Sequence, residues 1–340
     1  MFKKWSGRIG AMAFSVILIG VIIFSLPTIA SWSLRFEPTP STPAQFPVSV
    51  YPATKTIVNN AQANALFAEN SPSPFQAAAA NVSGNAWNVL AWFASAISEA
   101  PWYQSIASVA GMDVRVVTIE PGMRKEQVAS AFAQALDWDS AEEGAFLTPA
   151  VSSTLPLSEG SFAPGSYAVV SGTTPEEAQA LVNKHFTEDV LNHYGTTTAS
   201  VVPLDEALTI ASLIQREAAG PSDMRIISGI IWNRLFAGMK LQIDATVQYA
   251  KADNPTVRSW WPVVLSSDLY TRKSPYNTYL HPGLPPAPIA NPSVAAILAA
   301  LNPVKTSCMY YFHDDAGRFH CTDTYAEHVA LLKQYFGHGK

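Results

Sequence analysis

Glu217 closes the stretch ALTIASLIQREAAGP, where its position is chemically awkward. On a helix, residues three, four and seven apart share a face. Counting back from Glu217 gives Ile214, Leu213 and Ile210, so the carboxyl falls on the apolar stripe, while Arg216 shares a side with Ser212 and Thr209. Gly220 and Pro221 are expected to stop that helix. Burial raises a carboxyl pKa, and the negative end of a helix dipole raises it further. A carboxyl held protonated near neutral pH suits general-acid chemistry on a glycosidic oxygen. The plain alternative is an ordinary Glu on a frayed last turn, paired with a cation elsewhere.

Asp244, in LQIDATVQ, is a second carboxylate. It suits the base or nucleophile of a two-carboxylate glycosidase, and it equally suits the cap of a turn into ATVQYA. The Pro-rich loop SPYNTYLHPGLPPAPIANP, 274–292, can be neither helix nor central strand. Its Tyr276, Asn277, Thr278 and Tyr279 offer hydroxyls, an amide and flat aromatic faces suited to a sugar chain, whereas Leu280, Leu284 and Ile289 would anchor it as a cover over the core. His313, Asp314, Asp315 and His320 gather around one turn, where a bound metal is the minor reading. There is no HExxH pair, no G-x-S-x-G elbow and no phosphate-binding loop, so no metal or cofactor is expected.

The elements that must position these groups follow from periodicity. VRVVTI reads as a strand, Pro121-Gly122 as a turn, and RKEQVASAFAQALDW as a helix with Val128, Ala131, Phe132 and Ala135 inward. GSYAVV is a second strand, and Thr174 opens a helix expected to run to Gly195. From Pro203 a second unit begins, with a helix from Ser222 to Ala237 behind the Glu217 helix and a short Ala/Leu helix capped by Asn291-Pro292. Cys308 and Cys321 flank a hairpin turning at Asp314 to Gly317 and would be opposite or diagonal neighbours; a disulfide or two buried thiols both fit. Thr324-Tyr-Ala-Glu327 is a capping box. The fold class is α+β.

The 340-residue chain is 48% hydrophobic and only 14% charged. Part of the reason is an apolar run from Ile9 to Leu26, long enough to cross a bilayer and preceded by Lys3, Lys4 and Arg8. We expect residues 1–8 to be cytoplasmic, 9–32 to be a single-pass anchor and the rest to lie outside the cytoplasm. A signal peptide cut after Ala30 is the competing reading, disfavoured by the length of the run. Residues 33–112 read as a Pro/Ala-rich spacer, with helical spacing of Trp87, Leu90, Ala94 and Ile97 inside it. The net charge of −5 leaves about −8 on the body without the three N-terminal cations, and no other basic cluster appears, which excludes nucleic acid as a partner.

Three segments together, ASLIQREAAGP, IIWNRLFAGMKLQIDATVQYA and SPYNTYLHPGLPPAPIANP, resemble the YceG-like family of endolytic murein transglycosylases, also called MltG. LNPVKT and TYAEH resemble the end of that family, and the likeness covers about 113–332. The resemblance implies a single-pass protein of the bacterial inner or plasma membrane, a LysM-like unit at 113–200 and a catalytic domain at 201–340. It implies internal cleavage of nascent peptidoglycan strands between N-acetylmuramic acid and N-acetylglucosamine, beside wall-synthesis complexes, with 1,6-anhydro ends. The family's single catalytic Glu falls on Glu217, which leaves Gln242, Asp244, Thr246, Tyr276, Asn277 and Thr278 to substrate binding or site shaping. QRE stands where EKE is usual, TYAEHV lacks the Asn that commonly follows its His, and the Cys hairpin is not a general family feature. A hydrolase using Glu217 with Asp244, and a non-enzymatic wall-binding scaffold, are the alternatives.

Overall fold

The computed structural model describes residues 45–69, 114–148, 158–254 and 256–337. The expected anchor at 9–32 and the Trp-rich stretch at 85–103 lie outside these residues. Among the described residues no helix is long and apolar enough to cross a membrane.

The chain enters the described fold through β1 (Val50–Tyr51), β2 (Thr56–Ile57) and α1 (Ala61–Glu69). This stretch was expected to be spacer, yet Phe46, Val50 and Ile57 are buried in the core of the second unit. Its backbone is held by distant polar groups: Ser49 N–H donates to Leu301 O, Thr198 Oγ1 to Phe46 O, and Asn302 Nδ2 to Pro47 O. None of those partners lies within reach of a local periodicity argument.

A small unit follows, made of β3 (Val114–Ile119), α2 (Lys125–Leu136), α3 (Ser140–Leu147), β4 (Gly165–Val170) and the first half of α4 (Pro175–Asp189). β3 and β4 pair antiparallel, with Val117 opposite Tyr167. An isolated two-stranded ribbon is marginal in water. Here it is covered by an aromatic cluster in which Phe132 lies 5.0 Å from Phe146 and 5.9 Å from Tyr167, ring centre to ring centre. Helix α3 was not anticipated; Asp139 caps it by accepting from the Ala141 and Glu142 N–H groups. Helix α4 stops at Asp189 rather than Gly195, because Val190 leaves helical geometry and a 3-10 turn takes over. Phe186 and Val190 belong to the second core, so the division between the two cores runs through α4.

The second unit holds α5 (Thr196–Val201), α6 (Leu204–Glu217), α7 (Pro221–Phe236), α8 (Asp244–Ala252), α9 (Asp268–Thr271), α10 (Val294–Leu301), the β5–β6 hairpin (Tyr310–His313, Phe319–Thr322) and α11 (Tyr325–Phe336). Helix α6 is its axis, packed between α10 and α7. Every residue from Ala207 to Ile214 is buried, not one stripe alone. The two hydroxyls on the supposed polar side make this affordable: Thr209 Oγ1 donates to Asp205 O and Ser212 Oγ to Thr209 O, while Ile289 N–H donates to Ser212 Oγ. Pro221 starts α7 instead of merely ending α6, as a proline in the first turn of a helix can. Ser293 caps α10, its Oγ accepting from Ala296 N–H, and Asn291 has another task.

Asn291 joins the two units. Its backbone exchanges hydrogen bonds with Gly122 and Met123, its Oδ1 accepts from the Gly160 and Phe162 N–H groups, and its Nδ2 donates to Met123 O and Glu159 Oε1. Beside it Arg124 stacks on Tyr249 and donates to Tyr249 O and Asp253. Glu159 is enclosed there, accepting also from Lys125 N–H, and burial pushes its carboxyl up to about 8.

Candidate active site

Glu217 ends α6 half-buried. Tyr311, on β5, donates its hydroxyl to Glu217 Oε2 at 2.7 Å. Burial holds the Glu217 carboxyl above its ordinary range; Tyr311 pulls against that rise, the neighbouring Asp244 charge adds to it, and His313 and Arg216 oppose it. Burial and the adjacent carboxylate push the Tyr311 phenol well up, so it remains a donor.

Asp244 opens α8 with its side chain exposed, and Tyr279 donates to its Oδ1 at 2.6 Å. Gln242 is exposed next to it in a left-handed conformation (φ 52°), and its N–H donates to Thr278 O. Thr246, Asn277 and Thr278 are buried and bonded within the protein. Thr278 Oγ1 lies 3.0 Å from Thr246 Oγ1 and accepts from Ile243 N–H, and Asn277 Nδ2 donates to Leu269 O and Arg272 O. Thr246 and Thr278 therefore hold the Pro-rich loop on α8, and Asn277 holds it against α9 and Arg272; Gln242 and Asp244 stand exposed beside them. Tyr276 turns toward Tyr249, 4.8 Å between rings, on the side of the joint.

Several positioning groups were not singled out from the sequence. Asn233 and Arg234 follow the apolar run Ile230–Trp232 in α7, a change of character that could have marked them. Asn233 Nδ2 donates to Thr306 O and Cys308 O; Arg234 donates to Met309 O and Leu241 O and lies over Tyr310. Buried Arg234 thus ties the start of the hairpin to the turn that presents Asp244. Cys308 and Cys321 form a disulfide, and Cys321 lies directly opposite Tyr311 in the hairpin register. His313 bonds Asp223 Oδ2, which also accepts from the Ala219 N–H just beyond Glu217, while Asp223 Oδ1 accepts from the Gly220 N–H. Arg216 stacks on Trp261 at 3.9 Å, while Gln215 Oε1 accepts from the Ser293 N–H and hydroxyl. Asp314 holds its own turn, accepting from Arg318 and His320. Glu327 closes the capping box on Thr324.

A cavity of about 370 Å³ lies at the joint between the units, lined by Ile119, Phe186, Val190 and Ile297 among others. Its lining does not include Glu217, and its walls are mostly apolar.

The arrangement is one carboxyl whose pKa burial raises, on an apolar floor, a phenol holding one of its oxygens, and a second carboxylate at the rim. The YceG-like family model matches residues 93–334, and the chain belongs to that family. The match begins some way before residue 113, where the recognisable likeness starts. The chain is 30% identical over 157 residues to the endolytic murein transglycosylase of Streptococcus pneumoniae serotype 2 (strain D39), covering 46% of this chain and 28% of that protein. It is 39% identical over 134 residues to the endolytic murein transglycosylase of Bacillus subtilis (strain 168), covering 39% of this chain and 35% of that one. The matched region thus spans about a third of the length of these curated relatives. The crystal structure of a protein described as yceG-like from Listeria monocytogenes superposes with a TM-score of 0.55 at 26% identity, over 64% of this chain and 75% of that chain.

Proposed function

We propose that this protein is a peptidoglycan lytic transglycosylase, exported and held by a membrane anchor at residues 9–32. It cuts nascent glycan strands between N-acetylmuramic acid and N-acetylglucosamine. Glu217 donates its proton to the glycosidic oxygen as the bond to the muramic acid anomeric carbon breaks. The resulting carboxylate then takes the proton from the muramic acid C6 hydroxyl, whose oxygen bonds to that carbon. The product is a 1,6-anhydro end and no water is consumed. One carboxyl serves as acid and then base, while Asp244 keeps the Glu217 pKa up and, with Gln242 and Tyr279, faces the sugar chain. The observation that carries this reading is Glu217 itself: a carboxyl raised by burial, bonded by one phenol, on a scaffold whose relatives bear the name endolytic murein transglycosylase. The strand–helix–helix–strand order of β3, α2, α3 and β4 supports a LysM-like, wall-facing role for the small unit.

The test is a digest of wall sacculi and of nascent uncrosslinked strands by residues 34–340, beside Glu217→Gln, read by mass spectrometry. Anhydromuramyl ends from the first protein alone are expected. Reducing ends, heavier by one water, would mean a hydrolase. No cleavage by the folded wild-type protein would leave a binding scaffold.

A further inference from the structure

Nine large hydrophobic side chains stand exposed among the described residues, and four of them fall within 260–270: Trp260 at 40%, Val263 at 77%, Leu265 at 58% and Tyr270 at 66%. Such a concentration on one loop marks an interaction surface rather than ordinary scatter. The loop is built to hold these tips outward. Lys251 Nζ pairs with Asp268 Oδ2 at 2.6 Å and donates to Val263 O, Leu265 N–H donates to the same carboxylate oxygen, and Pro262 is buried beneath. Asp268 is the one acidic residue between 256 and 273, and the Lys251 pair occupies it. Arg258, Arg272 and Lys273 leave the segment basic, on a body whose net charge is negative. They are too dispersed in sequence to read as a cluster.

Aliphatic tips, a Trp and a Tyr flanked by Arg and Lys are the composition of a segment seated in a lipid headgroup layer. Basic residues draw such a segment to anionic lipid in particular. A sugar-binding lip would instead offer aromatic faces with hydrogen-bonding groups, and Val263 and Leu265 have neither. The loop also borders the site: Trp261 lies under Arg216, next to Glu217, and the Tyr270 ring meets the edge of Tyr279, the partner of Asp244. We propose that the 256–273 loop is a membrane-surface contact, which seats its apolar tips among anionic headgroups and holds the mouth of the site at the bilayer. It adds to the anchored reading above and does not depend on the reaction.

The test uses the full chain in nanodiscs of equal phosphatidylcholine and phosphatidylglycerol, with a nitroxide at Val263→Cys and, as a control, at Glu177→Cys on α4. Accessibility to oxygen and to a water-soluble nickel chelate is measured at each label. Lipid seating raises oxygen access and lowers nickel access, whereas burial in protein lowers both. We expect lipid seating at 263 and not at 177, lost in Arg258→Glu with Lys273→Glu and in pure phosphatidylcholine. A water-exposed label at 263 in the anionic discs would overturn the proposal. So would a label shielded from both reagents only when glycan strands are added, which would make the loop a sugar-binding lip. Incorporation into the disc reports separately on the anchor; a chain that stays outside is read by the same label after adding vesicles of the same lipids.

Discussion

Glu159 and Glu217 are both carboxyls lifted by burial, and the resemblance ends there. Glu159 sits at the joint with Lys125 N–H and Asn291 Nδ2 on one oxygen and the Tyr249 hydroxyl 3.4 Å from the other. Glu217 has a single hydrogen-bond partner among the described residues, Tyr311, and is half-buried. A raised pKa therefore does not by itself distinguish the two. What separates the two is an oxygen left for something else, at a place the surrounding loops leave open. The joint spends its acid on holding two units together; the end of α6 keeps its acid available.

Removing the Glu217 carboxyl should break this comparison most sharply. Glu217→Gln is expected to lower cleavage about 10²–10⁴-fold with unfolding unchanged, as loss of a general acid does. Glu159→Gln should do the reverse, leaving turnover near wild type and altering stability. The folded chain holds the Glu159 proton between about pH 4.5 and about 8, where the unfolded chain releases it. Its burial is therefore harmless below that window and costs more as pH rises through about 8, up to roughly 4–5 kcal/mol as an upper bound. Urea unfolding at pH 5 and pH 9 should show a steeper loss for wild type than for the Gln variant. If the two slopes agree, the joint carboxyl is not the buried acid described here.

Opening the disulfide with a dithiol should cost about 3 kcal/mol, the scale for a closed loop of this length (separation 13), and should loosen the Tyr311 contact without touching the joint. Tyr311→Phe is the mildest change. It removes the bond that lowers the Glu217 pKa, so that pKa should rise further. Cleavage, which needs the protonated acid, should then persist to higher pH, with at most about a tenfold change at its optimum. An unmoved alkaline limb would mean that Tyr311 only packs.

The Glu217 end of α6 was legible because a charge at the last turn of an apolar helix conflicts with its surroundings, and the Pro-rich loop because proline restricts its own backbone. The strands at 114–119 and 165–170 were legible from local pattern alone. Tyr311 was not, since nothing local shows that a hairpin residue ninety-four positions away would reach Glu217. Glu159 lies in a Gly/Ser-rich loop with no period, and its partners come from α2 and from Asn291. Thr246, Asn277 and Thr278 were read as binding or site-shaping groups because their side chains are polar; which backbone groups they would bond was not legible, since those lie in other segments of the chain.

The most direct measurement is a carbon-13 carboxyl titration of the labelled protein, with the two signals assigned by Glu217→Gln and Glu159→Gln. The account predicts that both carboxyls titrate above the ordinary glutamate range, and that Tyr311→Phe moves the Glu217 signal upward while leaving Glu159 in place. A Glu217 that titrates at or below 4.5 in the folded wild-type chain would contradict it.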